Sequence, residues 1–222
     1  MSSLGIRLLS MLLPNRCPYC RTLIHSDMTE CAACRVHFPL FPRIEPVPSG
    51  AVCTAPFTYD TTVREAIIRF KFQNKKHYAN SFARAAAQAV GEVYKDMQID
   101  VITAVPLSAQ SRRERGYNQS ELVARKIGNL LDIPYEELLL KNKQNRVQHE
   151  LNYEERLVNV QGVYIAPRPA HVLGKTILLT DDIMTTGSTL SECCKVLKKN
   201  GAKSVLCVVV AMGGGTESAF SQ

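Results

Sequence analysis

The chain has 222 residues, room for one α/β domain and a small appendage, and 45% of them are apolar, enough for the core of a folded soluble protein. Its 27 Lys and Arg against 20 Asp and Glu leave a formal charge of +7, which favours phosphate-bearing partners, nucleic acid or phosphorylated metabolite, without choosing between them. Four of the eight cysteines form two Cys-x-x-Cys pairs and the rest are scattered through apolar segments, which excludes a disulfide framework and suits a reducing cytoplasm.

In chain order, Leu4–Leu13 comes first. Leu8, Leu9, Leu12 and Leu13 stand near helical spacing and predict a short helix docked on the body or on a partner. The segment is too short to span a bilayer, and Pro14-Asn15-Arg16-Cys17 lacks the small-residue pattern of a signal cleavage site, so no transmembrane segment is expected.

Cys17-Pro-Tyr-Cys20 and Cys31-Ala-Ala-Cys34 follow, two thiolate pairs ten residues apart. Each pair folds as a tight knuckle that presents both sulfurs to one tetrahedral ion, so Cys17, Cys20, Cys31 and Cys34 are the predicted ligands of a structural zinc. His25 and His37 are close enough in sequence to replace a thiolate. A redox Cys-x-x-Cys needs one pair and a following helix, which Pro18 and the polar Arg21–Glu30 stretch do not offer. Cys53, Cys193, Cys194 and Cys207 read as small core hydrophobes.

Residues 38–50 hold four prolines without helical or strand periodicity and predict a linker, dividing the chain into residues 1–50 and 51–222. Beyond it, apolar periodicity predicts a strand at Val52–Tyr59, helices at Thr62–Phe70 and Tyr78–Lys95, a strand at Val101–Val105 and a helix at Gln119–Leu131. Strands at Val163–Ala166 and Thr176–Thr180, a helix at Thr189–Asn200 and a strand at Ser204–Ala211 complete the series, with a frayed tail from Gly213. Alternation of this kind implies an α/β fold, a mostly parallel sheet covered on both faces. Asn118 with Glu121 three residues on is a capping box, and Gly201 after Asn200 stops the last helix.

The chemistry concentrates where Ile177–Thr180 runs into Asp181-Asp182 and then Thr185-Thr186-Gly187-Ser188-Thr189. Ligands of open parallel sheets bind at the carboxyl ends of the strands. Adjacent carboxylates there accept hydrogen bonds from two vicinal sugar hydroxyls. The turn offers hydroxyls and helix-N-terminal amides to a phosphate, and Gly187 lets the backbone close round it. No Gly-Lys-Ser/Thr is present, so this is not a Walker loop.

With these motifs the chain closely resembles the type I phosphoribosyltransferases and, within them, the competence protein F (ComF) family tied to DNA uptake in natural transformation. The resemblance takes in the Cys-x-x-Cys pairs, Ala66–Phe72 with Lys71, and Val105-Pro106-Leu107 with Arg113-x-Arg115-Gly-Tyr-Asn118-Gln119. It continues through Arg146-x-Gln148-x-x-Leu151, Arg156 and Asn159 and ends on the Leu179–Thr189 signature. It implies that Asp181 and Asp182 face the ribose of phosphoribosyl pyrophosphate (PRPP), Thr185–Thr189 hold the 5-phosphate, and the loop after Val105 meets the pyrophosphate with magnesium. The implied partners are PRPP, single-stranded DNA and proteins of the DNA-uptake machinery. A stand-alone transferase acting on a base or nitrogen donor is the other reading.

Arg112, Arg113 and Arg115 fall in a short loop after the second strand of the domain, where guanidinium forks suit a pyrophosphate (Arg113, Arg115) or a nucleic-acid backbone (all three). Lys141–Asn159 is polar and aperiodic, as expected of a flap over an active site, with Gln148, His149, Arg156 and Asn159 as possible contacts. Tyr78, Tyr117 and Tyr153 lie near basic residues, where stacking on single-stranded bases competes with ordinary packing.

Overall fold

The computed structural model describes residues 15–38, 41–142 and 162–213. The Leu4–Leu13 helix, the contacts expected between Arg146 and Asn159, Tyr153 and the tail beyond Gly213 lie outside them. In chain order the elements are β1 (Asn15–Arg16), β2 (Leu23–Ile24), α1 (Ala32–Arg35), β3 (Arg43–Pro46), β4 (Val52–Ala55), β5 (Phe57–Thr58), α2 (Thr61–Phe72) and α3 (Tyr78–Val93). Then come β6 (Val101–Ala104), α4 (Ala109–Arg115), α5 (Gln119–Leu131), β7 (Leu140–Lys141), β8 (Tyr164–Ile165), β9 (Thr176–Met184), α6 (Ser188–Lys199) and β10 (Ser204–Met212).

The main sheet runs β3-β4-β10-β9-β6, with β5 also on β10, and every pairing except β3–β4 is parallel. The predicted strand at Val52–Tyr59 is broken into β4 and β5 at Pro56, which has no amide to give to the ladder. Along β9 and β10, Leu178, Leu206, Val208 and Val210 join the cluster on one face, and Ile177, Leu179, Val205, Cys207 and Val209 join the cluster on the other. Such runs, apolar on both sides, are what a parallel sheet buried on both faces demands. Val163–Ala166 does not enter this sheet: β8 pairs antiparallel with β7 in a separate ribbon.

The proline-rich stretch read as a linker contains β3, an antiparallel edge strand. An edge tolerates Pro46 because an outward position needs no donor, so proline content alone misjudged it. The turn that follows brings Val47 N–H to Ala51 O at 2.8 Å, with Gly50 at φ 85°. The arginines read as loop residues form the short helix α4, capped by Ser108 and closed by left-handed Gly116.

The cysteine stretch packs into the same hydrophobic cluster as α2 and α3. Tyr19 stacks edge-on with Phe38 and Phe82 and lies 5.7 Å from Phe57, and its hydroxyl is 3.0 Å from Ser81 Oγ. Arg69 donates to Pro18 O at 2.9 Å, and the buried carboxylate of Glu30 is paired with Arg35 and Arg84.

Candidate functional site

At the cysteines, β1 and β2 form a hairpin whose return puts Cys17 N–H on Thr22 O at 2.9 Å, and this turn carries Cys17 and Cys20. Cys31 caps α1, its sulfur accepting from Cys34 N–H at 3.4 Å. The four sulfurs lie within 4.8 Å of one another, with Cys20 Sγ and Cys31 Sγ 3.5 Å apart. A tetrahedron of sulfurs about 2.3 Å from a central zinc has edges of about 3.8 Å, so the cluster has the size and donor chemistry to hold such a metal. His25 and His37 stand outside this group, and among the described residues no other cluster of metal-ligating side chains occurs.

The second site is made by one strand outrunning its neighbour. β6 ends at Ala104, opposite Thr180, and Val105 N–H makes a last bond to Thr180 O at 2.9 Å. β9, predicted to stop at Thr180, continues to Met184 on the support of β10 alone, with Asp181 opposite Val209. Asp181 and Asp182 therefore stand past the end of β6, at the carboxyl ends of the strands, which is where open α/β sheets take ligands.

Each carboxylate is held by a helix end. Lys71, at the end of α2, donates to Asp182 Oδ1 at 2.9 Å. Ser120, in the first turn of α5, donates to Asp181 Oδ1 at 2.8 Å, and the same oxygen accepts from Asp182 N–H at 2.8 Å. Burial, and after it the charge of Asp182, push the Asp181 carboxyl up to about 7, against the pull of Ser120, the Asp182 amide and Lys71. Asn118 sets the start of α5: its side-chain oxygen caps Ser120 and Glu121 N–H, and its Nδ2 donates to Val105 O at 3.0 Å. Glu121 does not complete the expected capping box, because Arg112 and Arg125 occupy its carboxylate at 2.9 and 3.0 Å.

Beyond Met184 the chain turns into α6. Thr186 Oγ1 lies 2.9 Å from Ser188 Oγ and accepts from Ser188 N–H at 3.3 Å. Gly187 occupies the cap position at φ 70° and brings no side-chain cap, so neither Ser188 nor Thr189 caps the helix. A Cβ on Gly187 lies 3.0 Å from Pro48, so both its backbone angle and the β3–β4 turn call for glycine. Thr185 is exposed, and Thr186 and Thr189 are half-buried.

The three arginines separate. Arg112 is paired with Glu121; Arg115 lies 5.1 Å over the Phe72 ring and 3.5 Å from Gln119 Oε1; Arg113 is exposed. On a helix, residues three apart share a side and neighbours diverge by about 100°, so Arg113 turns away from the other two. Sequence reasoning missed Lys71 and Ser120 as partners of the acids, and Lys141, which sits over the Tyr164 ring at 5.8 Å and whose ammonium is pushed below its ordinary range by burial. Only tertiary packing joins these residues to the acids; the sequence signal was limited to a lysine or hydroxyl beside a recognised motif.

Residues 82–219 match the model of the phosphoribosyl transferase domain family. The chain belongs to that family. This phosphoribosyl transferase domain has relatives that also match in sequence. The chain is similar to Competence protein F of Haemophilus influenzae, 33% identical over 144 residues that cover 63% of this chain and 63% of that protein's length. It is similar to DNA utilization protein YhgH of Escherichia coli, 25% identical over 198 residues, 85% of this chain and 86% of the relative. Among solved structures it is similar to adenine phosphoribosyltransferase from Saccharomyces cerevisiae, at 13% identity, covering 83% of this chain and 90% of that one, with a TM-score of 0.42. The sequence resemblance to a type I phosphoribosyltransferase of the ComF kind, behind a four-cysteine cluster, is thereby met. No helix among the described residues is long and apolar enough to cross a membrane.

Proposed function

We propose that this protein binds PRPP with magnesium in the crevice between Asp181-Asp182 and the Thr185–Thr189 turn, and serves the handling of single-stranded DNA during uptake in the cytoplasm. The observation that carries the reading is the acid pair standing beyond the last β6 contact, directly before a helix whose cap position is a left-handed glycine. Thr186 takes the Ser188 amide, but the cap residue Gly187 brings no side chain, so the remaining first-turn amides are left for an anion, and the dipole favours its charge. Asp181 and Asp182 accept from the ribose hydroxyls; Thr185, Thr186, Ser188 and Thr189 donate to the 5-phosphate; Arg113 and Arg115, which α4 directs to different sides, are the two candidates for the pyrophosphate, one of them at a time.

No described cluster of carboxylates makes a cage for magnesium. The ion would enter with the pyrophosphate; Asp181 and Asp182 are the carboxylates of this site that could help to hold it, and it would supply charge neutralisation. Cys17, Cys20, Cys31 and Cys34 hold a structural zinc, residues 1–50 form the metal-bearing segment, and residues 51–222 form the transferase domain. The names of the relatives, Competence protein F and DNA utilization protein YhgH, support the link to DNA, and proteins of the uptake machinery are the partners that this reading expects.

A second reading, transfer of phosphoribose to a base or nitrogen acceptor, draws support from Asp181: a carboxyl titrating near 7 is matched to taking a proton from such an acceptor at neutral pH. Incubation with PRPP, magnesium and a panel of bases or single-stranded DNA separates the two. Acceptor-dependent pyrophosphate release supports the transferase; PRPP binding and salt-sensitive DNA binding without release support the first reading.

A further inference from the structure

Phe72 is the last residue of α2 and does not belong to the core. Phe70, two residues earlier, is fully buried, and two helical steps turn a side chain about 200° away, so Phe72 faces solvent and is 61% exposed. Its neighbourhood is polar: Gln73, Asn74, Lys75 and Lys76 follow it, all exposed, so the ring stands as a single apolar surface among polar and cationic side chains.

The surroundings of the ring are aromatic and cationic. The Arg115 guanidinium lies over Phe72 at 5.1 Å, and Lys76 Nζ lies over the Tyr117 ring at 5.1 Å. Tyr117 is fixed by its hydroxyl, which donates to Phe70 O, and by edge packing on Phe70 at 5.6 Å. The cluster is tied to the acid pair through its neighbours. Lys71, adjacent in the chain, reaches Asp182, while Gln119 joins Lys71 O at 3.4 Å and Arg115 at 3.5 Å.

We propose that Phe72, with Arg115 and the Tyr117–Lys76 pair beside it, is a stacking platform for a nucleobase of single-stranded nucleic acid at the mouth of the acid-pair crevice. A planar π surface with a guanidinium against it recognises bases without regard to sequence, and the exposed Lys75 and Lys76 supply charge for the adjoining phosphates. The inference deepens the DNA part of the proposed function. It rests on that DNA reading and not on what the acids bind.

The chain contains no tryptophan, so Phe72→Trp gives a single reporter that keeps the stacking surface. Oligothymidylate should quench that fluorescence and bind the variant about as tightly as the wild type. Phe72→Ala should bind oligothymidylate about 5- to 150-fold more weakly, the range for losing one aromatic–base stack. Wild type and Phe72→Ala should bind an abasic oligonucleotide of the same length equally. Undiminished oligothymidylate binding by Phe72→Ala, or equal quenching of Phe72→Trp by the abasic chain, would overturn the platform. Thymidine binding as tightly as the oligonucleotide would overturn the strand assignment, since the platform would then take a single nucleoside without a strand. PRPP titration of the wild-type protein reads the small-molecule proposal separately.

Discussion

Replacing Tyr19 with alanine removes a buried ring from the contact between the cysteine cluster and the sheet domain. The ring has aromatic neighbours at 5.2, 5.7 and 6.2 Å, and its hydroxyl is the partner of buried Ser81. Truncating a buried large aromatic costs about 3–5 kcal/mol, a large part of the roughly 5–15 kcal/mol that keeps a domain folded. For a chain of this size that corresponds to a fall in Tm of about 6–20 °C. Tyr19→Phe keeps the ring and loses one hydrogen bond, about 1 kcal/mol, and should lower Tm by about 2–4 °C. Calorimetry with and without a zinc chelator is the assay. Because fully buried Cys17 lies in the same cluster as Phe70 and Phe82, chelation should lower one shared transition, and by less in Tyr19→Ala, where the coupling is already broken. A separate low-temperature transition, with the main one unmoved by chelator or substitution, would refute this reasoning.

PRPP affinity should rise with pH through about 7 and level off above it, since ribose hydroxyls donate to ionised Asp181; a profile flat from about pH 6 to 8 contradicts this. Ser120→Ala removes a hydrogen bond to the ionised form and should move that midpoint upward, an outcome visible in the same titrations. Stability runs the other way: a folded carboxyl raised from 3.8 to about 7 makes the fold bind more protons than the unfolded chain, so the Asp181 contribution to stability falls between these values, as denaturant titrations across that range would show. Gly128→Ala would set its Cβ 2.5 Å from Ile133 O and 3.2 Å from Ile102, and should destabilise the α5–β6 packing by about 1–3 kcal/mol, read as a lower denaturant midpoint.

The fold was legible wherever one residue face met one environment. The helix Gln119–Leu131 was predicted to the residue because Asn118 caps its start and its apolar face is periodic. The doubly buried strands β9 and β10 were recognised from continuous apolar runs. What was lost depended on partners distant in sequence. β3 becomes a strand only because β4 offers an edge, and β9 runs past its acids only because β10 continues beside it. At the site, the acids, the threonine turn and the four cysteines are contiguous motifs and could be named. Lys71, Ser120 and Phe72 could not be assigned their places, because the meeting of α2, α4 and α5 at the strand ends has no local signature. The placement of the arginines was hidden for the opposite reason: adjacent in sequence, they were read as one loop, whereas the α4 helix distributes them among Glu121, Phe72 and solvent.

The most direct test of the central claim is calorimetric titration of PRPP with magnesium into the wild-type protein and into Asp181→Asn, Asp182→Asn and Gly187→Ala. The account predicts saturable binding by the wild type. It predicts loss of at least about tenfold in each aspartate variant, which forfeits a charge-assisted bond to a ribose hydroxyl, and weakening in Gly187→Ala, where a side chain is strained at φ 70°. Wild-type protein that binds no PRPP, or well-folded aspartate variants that bind it undiminished, would contradict the assignment of this crevice.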